Sequence, residues 1–276
     1  MSPNTSLHDT HVHLEILLEK LGFLENSSTS NAKYHNELAR LIEKHEFVLQ
    51  STVSTENYLQ VKQLFTDFDK IKYFLGSHPE IVDTEFDLPN YLSKQEKILQ
   101  SSLKSDFVGI GEIGLDYFYT RENVVITKQK DLFESQIQLA IKLNLPIMIH
   151  CREAFADLFN ILNKYPQVHN KFLIHCFTGG VCELHEAIKI GGVVAFGGIC
   201  TFNSATKLHE AIIKCPLDRF VLETDLPFLA PTPFRGRFCE PNMIDKVAEK
   251  VAELKNVTKS EIWQNSLSNT KKLFII

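Results

Sequence analysis

The chain has 276 residues, of which 44 % are apolar and 23 % charged, and its formal net charge is −5. That length suits one α/β barrel, and no apolar run reaches the ~18 residues that a membrane span needs. The acidic balance excludes a protein that coats nucleic acid by bulk charge, but not an enzyme whose metal ions supply local positive charge. The six cysteines, Cys151, Cys176, Cys182, Cys200, Cys215 and Cys239, show no C-x-x-C spacing. They are expected to be reduced, most of them as small buried hydrophobes. Residues 1–6 carry neither a basic start nor an apolar run, so the expectation is no signal peptide, no membrane partner and a cytoplasmic location. No repeat, low-complexity tract or linker interrupts the chain, and a single monomeric domain over residues 1–276 is expected.

The first predicted strand is Leu7 to Leu14 and carries Asp9-Thr10-His11-Val12-His13. Residues i and i+2 of a strand share a face, so His11 and His13 converge on one point. Two neutral imidazoles aimed at one point suit a metal ion; a polar N-terminal turn is the alternative. Leu17 to Lys33, rich in Glu, Asn and Ser, reads as a loop at the same end. A helix over Tyr34 to His45 places Leu38, Leu41 and Ile42 on one face. Phe47 to Val53 is the second strand, and Ser54 or Thr55 can cap a helix reaching Phe68. The third strand, Ile71 to Gly76, ends in Ser77-His78-Pro79 and is followed by a helix over Asn90 to Leu103. The fourth, Asp106 to Gly111, ends at Glu112-Ile113-Gly114-Leu115-Asp116-Tyr117, and an amphipathic helix spans Thr127 to Leu143.

Pro146 to Ile149 is the fifth strand, ending in His150-Cys151-Arg152, with a helix over Glu153 to Lys164. The sixth, Lys171 to Ile174, ends in His175-Cys176, and Glu183 to Ile190 is helical. Gly192 to Gly197 is the seventh strand, and a helix over Ser204 to Lys214 leads to the eighth, Arg219 to Leu222. That strand ends in Glu223-Thr224-Asp225-Leu226-Pro227, and helices over Asn242 to Leu254 and Lys259 to Phe274 close the chain. Apolar strands alternating with helices, with polar residues at the strand ends, predict an α/β fold, a (β/α)8 TIM barrel of metal-dependent hydrolase type.

In a closed barrel the strand ends face a common mouth. His11, His13, Glu112, His150, His175 and Asp225 then converge, too many ligands for one four-coordinate ion but suited to two with open positions. A carboxylate can bridge two ions through its two oxygens. One arrangement puts His11, His13, Glu112 and Asp225 around one ion, and Glu112, His150 and His175 around the other. Asp9 shares the face of His11 but lies deeper, and is expected to support the histidines rather than ligate. His78 suits a grip on a substrate oxyanion, with a loop hydrogen bond as the alternative. Arg152 suits a phosphate fork, or an ion pair with Glu153 or Asp116. Glu223 shares the face of Asp225 and can orient a ligand histidine or a water, or be a buried paired carboxylate. Arg235 and Arg237, in the loop after the eighth strand, suit an anionic substrate or are ordinary exposed charges. His8, His35, His45, His169, His185 and His209 read as structural or solvent-exposed.

Taken in order, these motifs resemble the TatD-like deoxyribonuclease family of metal-dependent hydrolases. The matching segments are Asp9 to Leu14, Gly76 to Pro79, Gly111 to Tyr117, Pro146 to Arg152, His175 to Gly179, Glu223 to Pro231, Arg237 to Pro241 and Asn269 to Phe274. The resemblance implies an amidohydrolase-type barrel with one or two divalent ions (Mg2+, Zn2+ or Mn2+) and nuclease activity on DNA. It carries the metal-ligand role onto His11, His13, Glu112, His150, His175 and Asp225, and a substrate or phosphate role onto His78. Cys239 departs from the proline common in that loop, and the segment from Leu17 to Lys33 is longer than typical. The expected reaction is hydrolysis of a DNA phosphodiester from a single-stranded 3′ end by a metal-activated water. Asp225, Glu112, His78 and Glu223 are its catalytic candidates, and His78, Arg152 and Arg237 its substrate contacts. Phe177, Tyr117 and Phe228 are candidates to stack on bases, with core packing as the alternative. Competing readings are an aminoacyl-tRNA deacylase, a cyclic-amide hydrolase or a non-catalytic nucleic-acid-binding barrel. Glu112, where related amidohydrolases often carry a modified lysine, favours the phosphodiesterase.

Overall fold

A computed structural model of the chain describes residues 7–24, 31–101, 107–274 and 276. Its strands are β1 (Leu7–Val12), β2 (His45–Gln50), β3 (Ile71–Tyr73), β4 (Ile110–Asp116), β5 (Ile147–Arg152), β6 (Phe172–Ile174), β7 (Val193–Phe196) and β8 (Phe220–Leu222). All pairings are parallel, in the order β1-β2-β3 and β4-β5-β6-β7-β8. The two sheets join at both seams. Phe74 bridges Gly109, and Val12 bridges Leu226. At the first seam Val108 N–H donates to Tyr73 O (2.8 Å), and at the second His13 N–H donates to Leu226 O (2.9 Å). The result is a closed barrel, as the alternation of strands and helices predicts. At the first seam a Cβ on Gly76 would lie 2.3 Å from the carbonyl carbon of Gly111, so only glycine permits that approach.

The helices are α1 (Leu14–Lys20), α2 (Asn31–Leu41), α3 (Thr55–Leu64), α4 (Leu88–Ser101), α5 (Asn123–Leu143), α6 (Phe155–Leu162), α7 (Val181–Lys189), α8 (Thr206–Lys214), α9 (Ile244–Lys255) and α10 (Lys259–Phe274). Side chains partition by strand parity. Leu49, Met148, Leu173, Ala195 and Val221 come from strands all around the ring yet form one cluster, so they fill the barrel. Their neighbours Ile147, Ile149, Phe172, Ile174, Val194, Phe196, Phe220 and Leu222 pack outward with Leu158, Leu184, Leu208 and Val247 of the helices. Phe274 of α10 belongs to the inner cluster, in edge-to-face contact with Phe74 at 5.1 Å.

The elements stand where the sequence predicts them, with shifted ends. Ser54 caps α3, accepting from Asn57 N–H at 3.1 Å. Part of the predicted loop from Leu17 to Lys33 is helical: α1 runs to Lys20 and α2 starts at Asn31, while residues 25–30 lie outside the described ones. The fourth strand differs most. It begins at Ile110, its predicted start at Asp106 lies outside the described residues, and it continues to Asp116. Glu112 is therefore inside a strand. Against β5, Ile110 pairs with Ile147 and Ile113 with Ile149, so β4 carries one extra residue in the stretch Gly111-Glu112. Such a bulge re-aims a side chain. A similar shift in β1 lies between Asp9 and Val12, the stretch Thr10-His11.

Candidate metal centre

The two irregular stretches meet through His11 and Glu112. His11 Nε2 lies 3.3 Å from Glu112 Oε2 and 3.5 Å from Asp225 Oδ1, and His13 Nε2 lies 3.8 and 4.0 Å from the same oxygens. The two imidazole nitrogens are 3.0 Å apart. On the other side, Glu112 Oε1 is 2.8 Å from both His150 Nδ1 and His175 Nε2, and 3.5 Å from His78 Nε2. One carboxylate thus faces two sets of imidazoles through its two oxygens. The donor atoms close enough to share an ion are those of His11 with Glu112 and His175, of His11 with His13 and Asp225, and of His78 with Glu112 and His150, so the first grouping crosses the division drawn from the sequence.

The far side of each ring fixes its orientation. Ser51 Oγ, just beyond β2, is 3.0 Å from His11 Nδ1. Asp116 Oδ2 is 3.0 Å from His150 Nε2, which turns Nδ1 toward Glu112. Such carboxylate–histidine pairs set ring orientation and raise ligand basicity. Neither contact is legible in the sequence, although Asp116 lies on the same strand as Glu112 and Ser51 in the polar run that ends β2. Glu223 accepts Cys176 N–H at 2.5 Å, and its Oε1 is 3.7 Å from His175 Nδ1, beyond hydrogen-bonding distance. Asp9 touches no imidazole. It accepts from Thr224 Oγ1 (2.6 Å), Thr224 N–H (3.0 Å) and His11 N–H (3.2 Å), so its support of His11 runs through the backbone.

Electrostatics fit these groups to a cation. Burial holds the pKa of His11 and His175 below the ordinary histidine value and that of His13 down to about 4, so their nitrogens offer lone pairs. Burial also acts against charge on His150, but hydrogen bonds to Asp116 and Glu112 outweigh it and push the pKa up to about 9. Glu112 is buried too, yet the surrounding imidazoles, His175 first, hold its carboxyl well below the usual range. Asp225 goes the other way, raised by burial and by the negative charge of Glu112. The neutral nitrogens of His11, His13 and His175, packed with carboxylates that repel each other, are a donor set completed by divalent ions. Ligand atoms of a four-coordinate first-row ion lie roughly 3–3.5 Å apart, close to the separations above.

A cavity of about 450 Å³ opens over the cluster, with Tyr119, Arg152, Phe228 and Ile16 among its walls. A second, of about 300 Å³, shares His150, Arg152, His175 and Asp225 and adds Cys176, Thr178 and Ile199. His78 Nδ1 accepts Glu80 N–H at 3.2 Å, which leaves Nε2 as the N–H donor toward the cluster. The loop hydrogen bond and the inward-facing donor are therefore both present. Arg152 pairs with neither Glu153, which binds Arg121, nor Asp116; its guanidinium stacks on Phe118, 3.7 Å from the ring centre. Arg237 is outside the cavity, 5.8 Å from the ring centre of Phe234. Phe177 is core, and Tyr117 packs against the core with its hydroxyl on Asp157, whereas Phe228 is exposed. Cys239 N–H donates to Pro227 O at 2.9 Å, a bond that proline could not make.

A family profile described as TatD related DNase matches residues 8–275. The chain belongs to this family. It is 36 % identical over 279 aligned positions to YabD of Bacillus subtilis, an uncharacterized metal-dependent hydrolase, with 98 % of this chain and 99 % of that protein covered. It is 29 % identical to the human 3′-5′ RNA nuclease TATDN2, covering 96 % of this chain and 35 % of that protein. Among solved structures, the TatD homologue YJJV of Escherichia coli K12 superposes with a TM-score of 0.84 at 25 % identity, covering 99 % of this chain and all of that one. This TatD-family protein is a metal-dependent hydrolase, and its buried His and Glu clusters are where metal would be held.

Proposed function

We propose that the protein hydrolyses DNA phosphodiesters, taking nucleotides from single-stranded 3′ ends. The observation that carries this reading is the two-sided Glu112, with imidazoles at both oxygens beneath an open cavity walled by Arg152. His11, His13, Glu112 and Asp225 would hold one divalent ion, and Glu112, His150 and His175 a second. Zinc or manganese suits so many imidazoles, and magnesium suits them less. Bound there, the ions would supply Lewis-acid charge and lower the pKa of water.

The chain's own groups do the rest. Asp225 takes the proton of the attacking water as the water oxygen bonds to phosphorus and the ester bond to the leaving oxygen breaks. His78 donates Nε2–H to a phosphoryl oxygen as charge builds on it, and Arg152 holds the neighbouring phosphate. Glu223 keeps the Cys176 backbone, and with it His175, in place. Arg237 is assigned to the strand beyond the cavity. The relative named as an RNA nuclease supports a second substrate, an RNA 3′ end.

Labelled single-stranded DNA and RNA, offered to the purified protein with each metal, test this. Digestion from the 3′ end that EDTA stops, and that His175→Ala and Asp225→Ala abolish without unfolding the chain, is the expected result. Metal-loaded protein that leaves both strands intact would point to another ester or amide.

A further inference from the structure

Among the described residues the exposed aromatic side chains are Phe118, Tyr119, Phe228 and Phe238. All of them follow β4 or β8, at the mouth of the barrel. An exposed ring taken singly is ordinary, and it is the grouping of these rings around one mouth that marks a binding surface. In a ring of eight strands, β4 and β8 stand four apart, so their loops occupy opposite rims.

Tyr119 and Phe228 both line the cavity that holds the metal ligands. Tyr119 is 65 % exposed and yet well supported. Phe118 meets its ring edge-on at 4.9 Å, and Arg152 Nη1 donates to its hydroxyl at 3.3 Å. Arg152 lies against Phe118 and has no carboxylate partner among the described residues. Across the mouth, Phe228 is 45 % exposed and packs edge-on against His13 at 6.2 Å. Each rim therefore presents an open ring next to the ligand cluster, one of them beside an uncompensated cation. Rings flanking a cation suit single-stranded nucleic acid, because every base has a face to stack. Paired bases hide those faces within their own stack.

We propose that Tyr119, braced by Phe118 and Arg152, and Phe228 stack on the bases on either side of the scissile phosphate. This rests on the nuclease reading above and deepens it: these rings are positioning residues that set affinity for the unpaired end. Arg152 meets the phosphate next to the stacked base.

The test is a cycle on the full, metal-loaded chain. Wild type, Tyr119→Ala, Tyr119→Phe and Phe228→Ala are assayed on single-stranded oligonucleotides with a normal or an abasic 3′-terminal nucleotide. Each alanine variant is expected to raise KM about tenfold with little change in kcat. Tyr119→Phe should restore most of the loss. Removing the terminal base should cost wild type a similar factor, and cost less in whichever alanine variant has lost the ring that stacks on it. Alanine variants with wild-type KM, or an undiminished base effect in both, would overturn the proposal while leaving the nuclease reading standing. A wild type that cleaves bis(p-nitrophenyl) phosphate but no oligonucleotide would overturn the nuclease reading and this inference with it.

Discussion

The floor and the mouth of the barrel both bury histidines, and they use them differently. At the floor, His8 is held between Phe47 and Trp263 with Nε2 on Ser266 Oγ at 2.8 Å. Burial takes its pKa down to about 3 and that of nearby His45 to about 4. At the mouth, His13 is lowered by the same cause to about 4. Burial and neutrality are therefore common to both ends. What separates a ligand from a packing residue is what its free nitrogen faces: a hydroxyl at the floor, other nitrogens and carboxylates at the mouth.

Breaking the mouth should remove chemistry and spare the fold. Glu112→Gln takes charge from both ligand sets at once, and activity should fall by more than ~10³-fold. Circular dichroism should show an unchanged fold, and an active variant would mean that another group joins the two sets. One step out, Asp116→Asn should weaken metal affinity by ~10–100-fold. It should also change the protons released. With a pKa of about 9, metal-free His150 is protonated near neutrality and must lose its proton to bind metal. Calorimetry at about pH 8, in buffers of different ionisation enthalpy, should show less proton release in the variant.

Breaking the floor should do the reverse. Ser266→Ala strips a partner from His8 and from Leu222 N–H, which donates to the same hydroxyl at 2.9 Å. The expected cost is about 2 kcal/mol in denaturant titrations, with turnover by the folded enzyme unchanged. The smallest effect concerns acid. The pKa of His8 is about 3 in the folded chain against 6.5 as its ordinary value. The unfolded chain thus binds the extra proton, and the stability present above pH 6.5 is lost as pH falls from there toward 3. His8→Gln, which can keep a bond to Ser266, should flatten the loss of melting temperature over the upper part of that window. An equal slope in both proteins would assign acid sensitivity to other groups.

The sequence shows the barrel because its strands are short apolar runs with ligand-type residues at their ends. It shows the six residues that meet at the mouth for the same reason, as polar residues where an apolar pattern stops. It does not show how Glu112 reaches the mouth, because the extra residue in β4 is defined only against β5. Nor does it show that Ser51 meets His11 or that Asp116 meets His150, because these contacts cross between strands far apart in the chain. Tyr117, Phe118 and Tyr119 are three adjacent aromatics, and only the turn after β4 decides that the first packs against the core and the other two face water. Arg237 carries the charge expected near the mouth, but its loop leads it away.

The seam between β8 and β1 has a consequence for how the protein comes into being. Asp225 N–H donates to His11 O at 3.1 Å, and Thr224 clasps Asp9, so the first strand is fastened by the last. A ribosome releases His11 and His13 long before Asp225. Until β8 emerges, the growing chain has neither Asp225 nor the strand that holds His11 and His13 in place. Under the proposed ligand set, a complete site at the mouth must wait until β8 has been made and has closed the barrel onto β1.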